Sequence, residues 1–346
     1  MKNNYKVDVI IPIYNALNWL KLCVDAIFKT TNYNILGTVY LINDCSSEDM
    51  SDYLIEVQKK YGSFIKVINN KNNMGFIKTC NKGLSMFKNE YVVLLNSDCI
   101  LSKNALEKMA NHMQKNNKIG LLCPPATVAS NLSYSIPEGM NYMQINSLFE
   151  KNFYGKNYDA CTVVGYCLMI SKKCIEQVGL LDEVYGRGYG EESDYQFKAM
   201  QKGFKAKVCI DTFVYHQCRA SFGKSEKEMM IRDENIKFFF NRWGNEYNKE
   251  MEKYKKNDPM VFINDNLDLN QATYDRIITL KKNERLSDYV KEINLLSLNE
   301  INVKIRCSQK QLDECEDNML FMPEIIKNND IVSRLKRKVR RKKYGL

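Results

Sequence analysis

Hydrophobic and polar positions come in alternating blocks along the first half of the chain. Continuous apolar runs stand at Val7–Ile13, Thr38–Ile42, Phe64–Ile68, Tyr91–Leu95 and Ile119–Cys123. Runs of this length, without polar alternates, are the pattern of strands buried on both faces. Between them, residues 17–29, 47–61, 76–87 and 103–116 carry apolar side chains at helical spacing and read as amphipathic helices. The second of these has a plausible start at Ser46 and Ser47, with Glu48, Asp49 and Asp52 in its first turns, where the helix dipole favours acids. Strand–helix alternation predicts an α/β fold: a mostly parallel, Rossmann-like sheet with helices on both faces. Ligands of such sheets bind at the carboxyl ends of the strands. The informative loops are therefore those after Ile13, Ile42, Ile68 and Leu95.

The pattern then loosens. Residues 124–160, with Pro124 and Pro125, read as an irregular connection. An apolar strand over Cys161–Ile170 leads into a short helix. Gly186, Gly188 and Gly190 form a flexible loop that opens a helix over Glu191–Lys202, and a strand follows that ends near His216. From about residue 245 the periodicity weakens; helical stretches at roughly 272–296 and an apolar run around Ile301–Ile305 suggest a small, mainly helical accessory region. The expected division is a main domain over 1–245, an accessory region over 246–333 and a basic tail over 334–346.

Composition changes this picture little. With 346 residues, 45% hydrophobic and 27% charged, the chain is of the soluble globular kind. No window approaches the ~18 apolar residues of a membrane span, and Val7–Ile13, interrupted by Asp8 and Pro12, is too short for a signal segment. A cytoplasmic protein is expected. Twelve cysteines lie scattered from Cys23 to Cys315 without a C-x-x-C pair, so they read as reduced, buried thiols rather than disulfides or a zinc site. The net charge of +10 is concentrated in Arg334–Lys343, which holds eight basic residues and no acid. Such a tail suits the anionic inner face of a membrane, where each Lys or Arg contributes about 1 kcal/mol; a solvated tail and a nucleic-acid contact are the other readings. Nucleic-acid binding is disfavoured because Tyr344 is the tail's only aromatic side chain.

The chemistry-bearing residues sit where the sheet would gather them. Asp98, in Asn96-Ser97-Asp98 at a strand end, is placed to hold a hard cation, since Mg²⁺ and Mn²⁺ take oxygen ligands from one or two carboxylates and substrate phosphates; helix capping is the bland alternative. Asp44, at the end of the second apolar run, would accept hydrogen bonds from a base or ribose, or cap a helix. Tyr14 offers a ring to a nucleobase, and Gly75 would let a diphosphate approach the backbone near a helix start. Glu191, Glu192 and Asp194 crowd one helix N-terminus. Neighbouring carboxylates raise one another's pKa, so one of them could accept a proton near neutral pH, although the helix dipole opposes that rise. Of the two histidines, His112 reads as a surface residue of the helix at 103–116. His216 ends an apolar strand and is a candidate metal ligand.

Together these stretches resemble the family 2 glycosyltransferases of the GT-A fold. The resemblance rests on Val9–Asn15, Asn43–Ser47, Asn73 and Gly75 with Asn81 and Gly83, Asn96–Asp98, Gly190–Tyr195 and Val214–His216, in the family's order over roughly residues 5–225. It implies an inverting, metal-dependent transfer of a sugar from a nucleotide diphosphate donor to a hydroxyl of a glycan, lipid-linked or protein acceptor, in cell-surface polysaccharide or glycoconjugate synthesis. Pro12, Tyr14 and Asp44 would hold the nucleotide, with Gly75 and Asn96 on the donor side. Asp98 and His216 would bind Mn²⁺ or Mg²⁺. Glu192 would be the catalytic base, Glu191 the competing choice, and Asp194 and Gly165 supports for the acceptor or the loop. The chain departs from the family pattern at Asn96, where an acid often stands, and at Cys45, where glycine is common. A nucleotidyltransferase is the rival enzyme, but the loop Ile13–Leu17 lacks the glycine-rich, basic triphosphate cradle it would need. A retaining transferase also stays open.

Overall fold

The computed structural model describes residues 5–137, 140–218 and 226–267, together with two short strands at Ile277–Thr279 and Asn302–Lys304. The basic stretch 334–343 and most of 268–346 lie outside the described residues.

Every apolar run in the first half becomes a strand. Those strands are β1 (Val7–Ile13), β2 (Leu36–Asn43), β3 (Ile65–Asn69), β4 (Tyr91–Leu95) and β6 (Ile119–Cys123), with the two-residue β5 (Cys99–Ile100) before the last. The intervening helices are α1 (Leu17–Thr30), α2 (Ser51–Tyr61), α3 (Phe76–Leu84) and α4 (Ala105–Lys115). The second half supplies α5 (Tyr142–Phe153), β7 (Asn157–Asp159), β8 (Cys167–Ser171), α6 (Lys172–Val178), α7 (Glu191–Gln201), β9 (Lys205–Cys209), β10 (Tyr215–His216), α8 (Glu226–Lys256) and α9 (Pro259–Asn266).

Eight strands form one sheet in the order β3-β2-β1-β4-β8-β6-β9-β7. β1 runs parallel to β2 and β4, and β2 parallel to β3; β8 is antiparallel to both β4 and β6. Val9, Ile10 and Ile11 are all fully buried. Successive strand residues point to opposite faces, so both faces of the sheet are covered. Asp8 is tolerated inside this strand because its carboxylate takes four donors: the amides of Thr38 (2.6 Å), Lys88 (2.9 Å) and Asn89 (3.1 Å), and the Asn89 side chain (2.8 Å). Gly83 of α3 lies directly on β1. A Cβ there would stand 2.5 Å from Ile10 Cγ2, so the residue is small for packing.

Five sequence expectations are corrected. α2 starts at Ser51, not near residue 47, because the residues before it brace a neighbouring loop. Ser46 Oγ accepts from Asn15 N (2.9 Å), Glu48 Oε2 from Leu17 N (3.0 Å), and Asn15 Oδ1 from the amides of Ser47 (2.9 Å) and Glu48 (3.1 Å). The stretch 124–160 is not wholly irregular, for it contains α5. Asn141 caps that helix by accepting from Met143 N and Gln144 N at 3.0 Å, and Gln144 Oε1 answers to Asn141 N at 2.9 Å. The strand expected to end near His216 is two, β9 in the large sheet and β10 paired with β5. His112 is no surface residue. It is buried, with Nε2 2.9 Å from Asp211 Oδ1 and Nδ1 3.1 Å from Asn157 Nδ2, so both ring nitrogens find partners inside the fold. Finally, Ile277–Thr279 within the expected helix 272–296 is a strand, parallel to Asn302–Lys304.

Ten of the twelve cysteines fall among the described residues; none of the ten is in a disulfide, and all but Cys45 and Cys218 are buried. No helix among the described residues is long and apolar enough to cross a membrane.

Candidate active site

The short ladder between β5 and β10 brings two distant parts of the chain together, pairing His216 with Cys99. It sets His216 Nε2 3.5 Å from Asp98 Oδ1. The other ring nitrogen, Nδ1, lies 2.5 Å from the Val128 carbonyl oxygen. A carbonyl can only accept, so Nδ1 carries a proton, which leaves Nε2, facing Asp98, as the nitrogen a metal would use. The strand around His216 is itself fixed: Thr127 Oγ1 accepts from His216 N and donates to His216 O, both at 2.8 Å. Asn96 stands two residues upstream, at the end of β4. Its Oδ1 is buried with no hydrogen-bond partner among the described residues, an arrangement that costs about 1–3 kcal/mol unless something else meets it.

These observations test whether a divalent cation suits the site. A carboxylate, an imidazole nitrogen and an orphaned amide oxygen are donors that Mn²⁺ accepts and Mg²⁺ partly so. Cys99 shares the cluster with Asp98 and His216. Burial pushes its thiol well above the ordinary range, and its Sγ donates to the Tyr166 carbonyl at 3.3 Å, so it stays a thiol rather than a zinc-type thiolate. The residues fit a hard or borderline cation.

On the nucleotide side, Pro12, one residue before the end of β1, is half-buried and Tyr14 is exposed. Asp44 is buried and already holds three donors at 2.8 Å: Asn70 Nδ2, Met74 N and Gly75 N. It fastens the loop at 70–75. The amide of Gly75 is therefore engaged by Asp44 and by Asn73 Oδ1 at 3.2 Å rather than turned toward a ligand, and its φ of 85° is what calls for glycine. Cys45 has a φ of 58°, which explains why glycine suits that position. Asn81 ties α3 to the chain before α7, exchanging hydrogen bonds with both backbone groups of Leu181 at 2.9 Å.

The acidic helix start is built differently for each carboxyl group. Gly186, Gly188, Tyr189 and Gly190 all have positive φ, and α7 begins immediately after. Glu191 is 5% exposed, and burial together with the charge of Glu192 holds its carboxyl well above the usual range. Burial raises Glu192 as well, but the backbone amides of Glu192, Gly190 and Gly165 favour its ionised form and restrain the rise. Gly165 lies against this side chain, since a Cβ added there would be 3.8 Å from three Glu192 carbons. Its neighbour Tyr166 stacks on His216 with ring centroids 4.8 Å apart and planes at 16°. Tyr166 O accepts from Asn96 N at 2.9 Å. Residues 165 and 166 thus join the acidic helix start to the Asp98–His216 pair.

Asp194 has no acceptor-facing surface. It is fully buried, and its Oδ1 accepts from Trp243 Nε1 (2.7 Å) and Arg242 Nη1 (2.9 Å) of α8 and from Tyr185 OH (3.3 Å), while Lys198 Nζ lies 2.7 Å from Oδ2. Its support goes to the loop and to α8. Tyr166, Arg242 and Trp243 escaped the sequence reading because their partners are 48 to 50 positions away in the chain.

Comparisons with known proteins point to one family. A model described as glycosyl transferase family 2 matches residues 8–179. An uncharacterized glycosyltransferase of Haemophilus influenzae is 33% identical over 119 residues, 34% of this chain and 36% of that protein. The poly(ribitol-phosphate) beta-N-acetylglucosaminyltransferase TarP of Staphylococcus aureus is 32% identical over 117 residues, 32% of this chain and 34% of its own length. The chain thus spans about a third of the length of these curated relatives. Among solved structures, GalNAc-T7 with UDP, GalNAc and Mn²⁺ superposes with a TM-score of 0.53 at 18% identity, over 76% of this chain and 57% of that one; this likeness is one of fold. By the family match over residues 8–179, half of its length, the chain belongs to glycosyl transferase family 2.

Proposed function

We propose that the chain is a divalent-metal-dependent, inverting glycosyltransferase that moves a sugar from a nucleoside diphosphate donor to an acceptor hydroxyl. The observation that carries this reading is the continuity from Glu192 through Gly165 and Tyr166 to His216 and Asp98. It sets a carboxylate that can take a proton beside a donor set that can hold a diphosphate's cation.

Asp98, His216 Nε2 and the Asn96 carbonyl oxygen would hold the cation. When bound, a divalent cation neutralises the charge that develops on the departing diphosphate. Glu192 is the base because its backbone amide donors stabilise the carboxylate, whereas Glu191, deeper in the same burial and facing that charge, keeps its proton. Glu192 takes the acceptor hydroxyl proton as that oxygen attacks the anomeric carbon opposite the diphosphate. The C–O bond to the diphosphate breaks with its electron pair leaving on the diphosphate, and the configuration inverts. Tyr14 and Pro12 flank the base and ribose.

The acceptor belongs to the glycans and glycoconjugates of the cell surface. In support, one relative is named for transfer to poly(ribitol phosphate), and the structural relative was solved with UDP and Mn²⁺. The test is incubation with a panel of sugar nucleotides and Mn²⁺ or Mg²⁺, followed by NMR of the product. One nucleotide should be consumed in a metal-dependent way and the product anomer should be opposite to the donor's. A product with the donor's anomeric configuration would overturn the inverting mechanism.

A further inference from the structure

Resting on this reading of the acidic helix start, we infer that Asn235 of α8 is a positioning residue that holds the Gly186–Gly190 loop, and through it Glu191 and Glu192, in place for transfer. The amide nitrogen of Asn235 spends both hydrogens on this loop. Nδ2 donates to Tyr185 O at 2.8 Å and to Gly188 O at 2.7 Å. These two carbonyls bracket a turn whose own closing bond, Gly188 N to Tyr185 O, is 3.2 Å long.

The loop needs an external hold. Gly186, Gly188, Tyr189 and Gly190 have φ values of 61°, 134°, 73° and 105°. Three glycines among four such residues leave the unfolded and open loop many alternatives, so the order seen must come from bonds to something rigid. α8, 31 residues long, is that element. Asn235, Phe239 and Arg242 with Trp243 recur at four-, seven- and eight-residue spacing and so share one face. Asn235 grips the loop before Glu191, and Phe239 lies 4.0 Å from where a Gly190 Cβ would be. Trp243 and Arg242 hold Asp194 just after the acids at 2.7 and 2.9 Å. The two glutamates lie between these grips.

The loop in turn lies beside both the Gly75 loop and Glu191. Arg187 Cγ would be 3.7 Å from a Cβ on Gly75, the residue fastened to Asp44, and a Cβ on Gly188 would be 3.8 Å from Glu191 Oε2. A shift of this loop displaces the acids relative to the donor side without touching Asp98 or His216. Misplacement by about 1 Å costs on the order of a hundredfold in rate.

The test compares Asn235→Ala and Asn235→Asp with the full chain. Aspartate keeps the shape but brings no donor and sets a charge against two carbonyl oxygens. Hydrogen exchange of the amides at 186–191 should quicken in both variants, while exchange in β1, β2 and β4 stays as in the parent. With a donor identified, kcat should fall by roughly ten- to a hundredfold in both, with the donor KM and the Mn²⁺ affinity unchanged. Unchanged exchange at 186–191 would overturn the inference, and so would faster exchange with full kcat. Loss of Mn²⁺ affinity together with a general rise in exchange would also overturn it, by making Asn235 a residue of the whole fold. The exchange measurement needs no turnover. Absence of transfer in the parent would therefore reject the transferase reading and still leave the hold of Asn235 on the loop decided.

Discussion

Glu191 and Glu192 are adjacent in sequence and share one burial, yet the backbone separates their roles. Amides of Glu192, Gly190 and Gly165 favour a charge on Glu192; Glu191 has backbone donors of its own, at Glu191 and Tyr189, but burial and the charge of Glu192 outweigh them. Glu192→Gln should reduce turnover by about 10²–10⁴-fold, the usual contribution of a general base, with donor binding nearly intact in a calorimetric titration. Near-full activity would reject the assignment. Because burial raises the pKa of Glu192, the acid limb of the parent's rate profile should lie above the ordinary glutamate value of about 4.3. Glu191 makes a stability prediction of definite sign. The folded state keeps a proton that the unfolded chain releases above about pH 4.3, so the stability from burying the neutral acid is full below that pH. It is lost as pH rises toward the folded value. The permanently neutral Glu191→Gln should melt like the parent near pH 4 and above it at pH 8; equal melting temperatures at both pH values would contradict this. At this scale the sequence was partly legible. Asp98, His216, Glu191 and Glu192 stand out as residue types at strand and helix ends, and the structure brings the first two to within 3.5 Å. Asp44 and Gly75 also stand out, but their bonds to each other became visible only when the loop at 70–75 had folded back on the end of β2.

At the level of elements, legibility follows burial. β1, β4 and β6 begin and end where their apolar runs do, because a strand covered on both faces has no other composition available. α2 and α5 were misread for a common reason, which is that polar side chains near a helix start can serve two structures. Ser46, Ser47 and Glu48 brace the β1–α1 loop rather than begin α2, while Asn141 and Gln144 form a capping box inside a stretch that proline and serine made look irregular. α8 was hidden because its buried face is defined by a glycine loop and Asp194, which lie far from it in sequence. Packing between elements also predicts a strong single change. Gly83→Ala would push a methyl group to 2.5 Å from Ile10 Cγ2 between α3 and β1. Overpacking of this kind costs about 1–3 kcal/mol, which urea unfolding would register as a lower midpoint with an unchanged slope. An unchanged midpoint would mean that α3 moves away freely.

Across the whole molecule, the carboxyl ends of the parallel strands β1, β2, β3 and β4 lie at the same end of the sheet, and the β5–β10 ladder follows directly after β4. The ladder matters most. β5 and β10 contribute only two residues each, but they carry Asp98 and His216 to one point from positions 118 apart in the numbering. Thr127, Val128 and Tyr166 hold the imidazole in the tautomer and orientation a metal ligand needs. The claim on which the account depends is that these two side chains form a cation site serving a bound diphosphate. Its most direct test is Mn²⁺ binding, followed by electron paramagnetic resonance in the presence of a nucleoside diphosphate, for the parent, His216→Ala and Asp98→Asn. The account predicts one bound Mn²⁺ per chain in the parent and an affinity loss of tenfold or more in both variants, since ligand changes exceed the about 10–100-fold cost of losing outer partners. Equal Mn²⁺ affinity in all three proteins would contradict it.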